Sequence, residues 1–72
     1  MARLVYDIWV GGMPINEFYI ESRDVAIDIA RGWRYDKEYD DVAIEVMDWD
    51  KPVENKALGI TEPSRVRWIT KF

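Results

Sequence analysis

The chain has 72 residues, which is the size of one small domain spanning residues 1–72. It contains no cysteine and no histidine, so disulfides and the usual zinc sites are excluded, and we expect no metal and no cofactor. The formal net charge of −4 argues against a general DNA-binding protein, because phosphate contacts require lysine and arginine. Hydrophobic residues make up 49% of the chain, so apolar packing can supply a core, and a homodimer that adds to it remains an open expectation.

Targeting signals are not evident in the sequence. No run approaches the ~18 apolar residues of a transmembrane helix, and Asp7 interrupts the short apolar stretch near the N-terminus. We therefore expect a cytoplasmic protein with no membrane association, and the missing cysteines fit a reducing compartment.

The first predicted elements form a β-hairpin. Leu4, Tyr6, Ile8 and Val10 alternate with other residues at period two, which indicates a strand with one apolar face. Gly11-Gly12 is typical of a two-residue hairpin turn, because glycine adopts positive φ without a steric penalty. Residues 15–21 then favour a return strand, which begins late because Pro14 removes a backbone donor.

A helix is predicted next. Ser22 is a favourable N-cap, and Asp24 follows in the first turn, where its charge complements the helix dipole. An apolar stripe recurs at helical spacing and is expected to pack on the sheet. Its members are Val25, Ala26, Ile29, Ala30 and Trp33.

The second half of the chain predicts two further strands. Residues 42–47 form the clearest strand, with Val42, Ile44 and Val46 facing the core. Residues 48–64 are predicted to be irregular, and residues 65–72 alternate again. The order ββαββ predicts an α+β domain in which one helix packs on a mainly antiparallel sheet.

Acidic residues dominate the segment between residues 36 and 50. A solvated loop and strand face is one interpretation, and a carboxylate calcium site has no EF-hand spacing to support it. The functional interpretation is a negatively charged docking surface that includes the flanking Trp49. Its predicted binding residues are Asp36, Glu38, Asp40, Asp41, Asp48, Trp49 and Asp50.

The four tryptophans divide into two groups. Trp33 and Trp68 lie on apolar stripes and are expected in the core. Trp9 lies opposite the apolar face of its strand, and Trp49 lies out of phase with the core positions of residues 42–46. We expect that at least one of these two tryptophans belongs to an exposed binding patch, because tryptophan is enriched among binding hot spots.

The last strand carries Arg65, Arg67 and Lys71, which alternate on one predicted face. A charged outer face commonly protects an edge strand from aggregation. The alternative is that these residues, with a nearby aromatic ring, bind single-stranded nucleic acid.

Catalysis has little support in the sequence. There is no histidine or cysteine for acid–base or nucleophilic chemistry. Ser22 and Ser64 lack the context of a nucleophile elbow, and Gly11-Gly12 is not part of a phosphate-binding loop. We predict that the protein is not an enzyme and has no catalytic residues.

The segments YDIWVGG and YDDVAIEV, separated by a helix, resemble short bacteriophage proteins over roughly residues 6–46. The resemblance implies a compact strand–helix–strand domain and a class of small acidic proteins that inhibit host machinery. Anti-CRISPR proteins and inhibitors of host RNA polymerase belong to that class, and virion components and replication accessories are of similar size.

Three functional hypotheses follow from the sequence. The first is a phage-encoded inhibitor or adaptor that binds a host protein or nucleoprotein complex in the host cytoplasm through the acidic and aromatic surface, without direct nucleic-acid contact. The second is an accessory protein that binds nucleic acid through the basic last strand. The third is a structural subunit that assembles by pairing strand edges. The net charge favours the first over the second.

Overall fold

The computed structural model describes residues 2–72 and contains one helix on one four-stranded antiparallel sheet. Its elements are β1 (Leu4–Val10), β2 (Met13–Pro14), α1 (Arg23–Arg31), a π-helical turn (Gly32–Asp36), β3 (Val42–Asn55) and β4 (Ile60–Ile69). The predicted α+β class and the order ββαββ are confirmed. In the described part of the chain, no helix is long and apolar enough to cross a membrane.

The sheet has the strand order β2-β1-β3-β4, so β1 and β3 form its centre. They pair from Leu4 opposite Asp48 to Val10 opposite Val42. The predicted turn is confirmed, since Gly11 and Gly12 have φ values of 62° and 79° and join β1 to β2. Positive φ at both central positions is what a two-residue hairpin turn of type I′ requires.

The predicted return strand over residues 15–21 is wrong. Only Met13 and Pro14 pair continuously with β1, and a single bridge joins Tyr6 to Ile20. Between these points, the side chain of Asn16 takes the place of the backbone carbonyl that a neighbouring strand would provide. Its Oδ1 accepts a hydrogen bond from the amide of Ile8 at 2.7 Å. A side chain thus satisfies a buried amide that a second strand would otherwise have paired.

The helix begins where predicted, with Ser22 Oγ accepting from the amide of Val25. The face that it buries differs from the prediction by one position. Ala26 and Ala30 are fully buried, whereas Val25 is 49% exposed and Ile29 is 37% exposed. The two alanines have no side chain beyond Cβ, so the helix backbone can approach the sheet closely.

The core lies between α1 and one face of the sheet. Its strand members are Tyr6, Ile8, Val10, Val42, Ile44 and Val46, joined by Ala26 and Ala30. Ile27, Trp33 and Ile69 pack against this cluster at its margins. The predicted core positions of β3 are therefore confirmed, whereas Trp33, predicted in the core, is only partly buried at its margin.

The chain from residue 48 to residue 64 is more regular than predicted. β3 continues to Asn55, and β4 begins at Ile60 after a turn in which Asn55 Oδ1 accepts from the amide of Leu58. The pairing is interrupted between Asp48 and Val53. Pro52 and Pro63 both lie within this interruption, where the ladder needs no backbone donor from them.

Candidate functional site

The sheet face opposite α1 carries an unusual set of aromatic and charged side chains. Strand alternation places Asp7 and Trp9 of β1 on this face, across from Glu45 and Ala43 of β3. We call it the open face and define it by Asp7, Trp9, Glu45, Arg65 and Trp68, with Tyr19 and Trp49 at its margin. No helix or second sheet covers it among residues 2–72.

The centre of the open face is a connected polar and aromatic cluster. Glu45 is buried, and its Oε2 accepts from Arg65 Nε at 2.6 Å while its Oε1 accepts from Trp9 Nε1 at 3.3 Å. The rings of Trp9 and Trp68 meet edge to face at 5.6 Å between centroids. The guanidinium of Arg65 lies 4.8 Å from the centroid of Trp68. Glu45 therefore holds two side chains, those of Trp9 and Arg65, and both of them contact Trp68.

A second aromatic pair lies at the margin. Tyr19 and Trp49 meet edge to face, with ring centroids 5.7 Å apart. Beside Tyr19, a pocket of about 320 Å³ opens between β1 and the segment that follows β2. The pocket is lined by Asp7, Pro14, Asn16, Glu17, Phe18 and Tyr19.

The electrostatics of this region are negative. Partial burial raises the pKa of Asp7 above its ordinary value, the hydrogen bond from Asn16 opposes this shift, and the charge of Glu45 adds to it. The pKa of Tyr19 is also raised, first by partial burial and then by the charges of Asp7, Glu62 and Glu45. Since nearby carboxylates disfavour further negative charge, they favour the approach of a cation.

The structure divides the predicted acidic surface into two groups. Asp36, Glu38, Asp40 and Asp41 are exposed around the loop that precedes β3. Asp48, Trp49 and Asp50 lie seven or more residues further along β3, which corresponds to roughly 20 Å. The acidic segment therefore does not form one continuous surface.

Asp48 is also unsuited to docking. It is buried, and its Oδ1 accepts from the amide of Asp50 at 2.8 Å. Asp50 is exposed, and Trp49 is half-buried against Tyr19. Of this group, Trp49 is the residue that adjoins the open face.

The predicted basic face is also divided. Arg65 pairs with Met47 and Arg67 pairs with Val46, because a register shift in β4 accommodates Val66 as an extra residue. The two arginines thus point to opposite faces of the sheet, contrary to the prediction. The exposed Lys71 lies beyond the end of β4.

The same register shift changes the position of Trp68. It was expected in the core, but it pairs with Glu45 on the open face and is 38% exposed. Ile69 packs against the core in its place. The shift could not be anticipated from the alternation of residues 65–72, because one bulged residue reverses every side chain beyond it.

Among the site residues that were not singled out from the sequence, three are polar. Asp7, Glu45 and Asn16 are polar residues within or beside apolar strands. The available signal was the position of Asp7 and Glu45 inside strands of strong apolar alternation, where a charged residue needs a partner. The contact between Asn16 and Ile8 had no local signal, since it depends on the path of the chain after β2.

The arrangement can bind but offers few groups for chemistry. In residues 2–72, no group of three His, Cys, Asp or Glu side chains is placed to hold a metal ion. The aromatic rings provide flat apolar contacts, and the carboxylate of Asp7 provides negative charge that no described cation neutralises. Comparison with protein-family models, with curated proteins and with solved structures finds no match to this chain.

Proposed function

We propose that this chain is a non-catalytic protein-binding module and that its binding surface is the open face. The observation that carries the proposal is the Trp9–Trp68 pair, held in place by Glu45 on a sheet face that no other described element covers. Large aromatic side chains at an exposed, preorganised site are typical of binding hot spots.

The aromatic rings are held before a partner arrives. Trp9 is fixed by its hydrogen bond to Glu45, and Trp49 is fixed by its contact with Tyr19. Because these side chains lose little further freedom on binding, more of the contact energy is available for affinity. A flat protein surface or an extended segment fits such a face.

Charge favours a protein partner over a nucleic acid. Arg65 is paired with Glu45, and Arg67 lies on the other face, so the open face offers no row of free cations. The pKa of Tyr19 is raised in part by the negative charges of Asp7, Glu45 and Glu62. Phosphate groups would be repelled there, whereas a basic protein surface would be attracted.

The resemblance to small bacteriophage proteins extends the proposal to a biological class. In this form of it, the chain is a phage-encoded inhibitor or adaptor that acts in the host cytoplasm on a host protein or nucleoprotein complex. The acidic character of the chain and its small size support that assignment.

The test compares capture of host proteins by immobilised wild type and by single variants. Trp68→Ala and Trp49→Ala remove aromatic contacts of the open face. Tyr35→Ala is the matched control, because Tyr35 is an exposed aromatic residue on the π-helical turn. We expect a partner that is retained by wild type and by Tyr35→Ala but is lost from both tryptophan variants, each shown to be folded by circular dichroism.

Two results would contradict the proposal. One is equal retention of every captured protein by wild type and by both tryptophan variants. The other is tight binding of a single-stranded oligonucleotide at physiological salt, which would favour the nucleic-acid hypothesis.

A further inference from the structure

We propose that the pocket beside the open face accepts the guanidinium group of an arginine side chain from the protein partner. The proposal rests on the proposed function, since it names the chemistry by which the partner would be recognised. It is carried by a cavity of about 320 Å³ that combines a carboxylate, an amide and two aromatic rings. Such a volume lies at the lower end of the range for ligand pockets, which suits a single side chain.

The carboxylate of Asp7 is the first element of the pocket. Asn16 Nδ2 donates to Asp7 Oδ1 at 2.8 Å, which orients the carboxylate. Within residues 2–72, Oδ2 of Asp7 has no hydrogen-bond partner, so it remains available to an incoming donor. Asn16 is itself fixed by its contacts with the amide of Ile8 and the carbonyl of Phe18.

The aromatic rings are the second element. Phe18 is 79% exposed, and Tyr19 packs edge to face against Trp49. An exposed phenylalanine gains nothing from the fold, because its ring remains in water. A planar cation that stacks on such a ring removes both groups from water and interacts favourably with the ring quadrupole.

The net charge around the pocket is the third element. Glu17 is one of the lining residues. The pKa of the neighbouring Tyr19 is raised in part by the charges of Asp7, Glu45 and Glu62. Arg65, the cation of the open face, is already paired with Glu45. Because that ion pair is neutral as a whole, the carboxylates of Asp7 and Glu17 leave the pocket with a negative charge that an incoming cation would neutralise.

A guanidinium fits this arrangement better than an ammonium. It is planar, so it can stack on Phe18 or Tyr19, and its donors form a fork that matches a carboxylate. A lysine ammonium is a compact and strongly hydrated charge, which gains less from an aromatic wall.

The experiment is a titration of the isolated protein, labelled with ¹⁵N, with N-acetyl-arginine amide and with N-acetyl-citrulline amide. Citrulline has nearly the same shape as arginine but carries no charge. We expect saturable amide shifts at Asp7, Asn16 and Tyr19 with the arginine probe, with a Kd on the order of 1 mM. The citrulline probe should bind at least about tenfold more weakly, since charge-assisted hydrogen bonds are the stronger ones.

Variants locate the site. Asp7→Asn and Phe18→Ala should each abolish saturation, whereas Asp50→Asn should bind as wild type does, because Asp50 is an exposed carboxylate outside the pocket. In wild type, saturation with the arginine probe should also lower the pKa of the Asp7 carboxyl, measured by NMR, because a bound cation favours the ionised form.

The outcomes separate the two proposals. Equal binding of the arginine and citrulline probes would overturn the arginine pocket. So would stronger binding of N-acetyl-lysine amide, titrated in the same way, or no change in the pKa of Asp7. None of these results bears on capture of a partner through Trp68 and Trp49, so the proposed function would then stand without it. Equal partner capture by wild type and by both tryptophan variants, with an intact arginine titration, would instead overturn the proposed function alone.

Discussion

The amide of Ile8 donates to Oδ1 of Asn16 at 2.7 Å, so an asparagine side chain takes the place of a strand carbonyl beside β1. Ile8 is fully buried, and its amide would be left without a partner if Asn16 were truncated. We therefore expect Asn16→Ala to reduce the free energy of unfolding by about 1–3 kcal/mol, measured by urea denaturation.

Asn55→Ala is the matched control for that variant. Asn55 Oδ1 also accepts a backbone amide, that of Leu58, but in an exposed turn where water can replace it. The loss there should stay below about 1 kcal/mol. A loss from Asn16→Ala no larger than that of the control would show that the contact contributes little.

The buried face of α1 gives a second prediction. Ala30 is fully buried against the sheet, so Ala30→Leu should destabilise the protein by about 1–3 kcal/mol through overpacking. Ile29 is partly exposed, and Ile29→Ala should cost less than the ~2–5 kcal/mol of a fully buried position. Thermal melting of both variants would test this, and a more harmful change at residue 29 would contradict the observed helix orientation.

The hairpin turn gives a third prediction. Gly11 and Gly12 both have positive φ, and a Cβ at either position would meet no atom within 4 Å. The double substitution to valine should still destabilise the protein by about 2–4 kcal/mol, because the left-handed conformation costs about 1–2 kcal/mol per residue with a side chain.

Gly32 provides the control of opposite sign. Its φ of −59° and ψ of −45° are helical, so Gly32→Ala needs no change of backbone and should raise stability by up to about 1 kcal/mol. Melting temperatures that fall for the valine pair and rise for Gly32→Ala would confirm that backbone conformation is the cause.

The raised pKa of Asp7 gives a pH-dependent prediction. The folded state holds this proton more tightly than the unfolded state, in which the pKa is near 3.8. As the pH rises from about 3.8 through the folded pKa, the folded protein therefore loses the stability that the proton provides. Asp7→Asn should remove this loss, so that its unfolding free energy falls less than that of wild type over the same window.

Urea denaturation at successive pH values measures that difference, with Asp50→Asn as an exposed control. If the two variants show the same pH dependence, the burial of Asp7 has no thermodynamic effect. A carboxylate that is kept at a cost to stability is characteristic of a binding site, which links this measurement to the arginine pocket.

The buried carboxylate of Glu45 gives a fifth prediction. Arg65→Ala would leave this carboxylate without its ion-pair partner, and a loss of about 1–3 kcal/mol is expected because the arginine is itself partly exposed. Arg67→Ala, on the other face of the sheet, should cost less than about 0.5 kcal/mol. A double-mutant cycle with Glu45→Gln isolates the pair, and additive losses would show that the two side chains are not coupled.

Local patterns were sufficient for much of the fold. The alternation of residues 4–10 and 42–47, the two glycines of the turn and the cap at Ser22 each depend on neighbours in sequence, and each was predicted correctly. The buried side of α1 was predicted incorrectly because the apolar stripe contains both alanine and isoleucine. Which of these residues faces the sheet depends on how closely the helix approaches the sheet, and the sequence pattern does not give that distance.

The candidate site was less accessible to sequence analysis. The exposed binding tryptophan was sought at Trp9 and Trp49, and both lie on or beside the open face. Trp68 and Arg67 were placed wrongly because the bulge at Val66 reverses the faces of the β4 residues that follow it, whereas Arg65 lies on the outer face as predicted. The pocket forms because residues 15–20 run back beside β1. The sequence has no hydrophobic periodicity that predicts this path of the chain.

The hairpin of β3 and β4 extends past the end of β1. The backbone amide of Trp49 still donates to the carbonyl of Arg3. The pairs from Val53 opposite Glu62 to Asn55 opposite Ile60 have no third strand beside them. Since no strand or helix of residues 2–72 lies beside this distal arm, we expect it to open independently of the central sheet, so that its amides exchange with solvent at lower free energies than those of residues 42–48. The arm can therefore change its angle when a partner binds, while Trp9 and Glu45 stay fixed at the centre of the sheet.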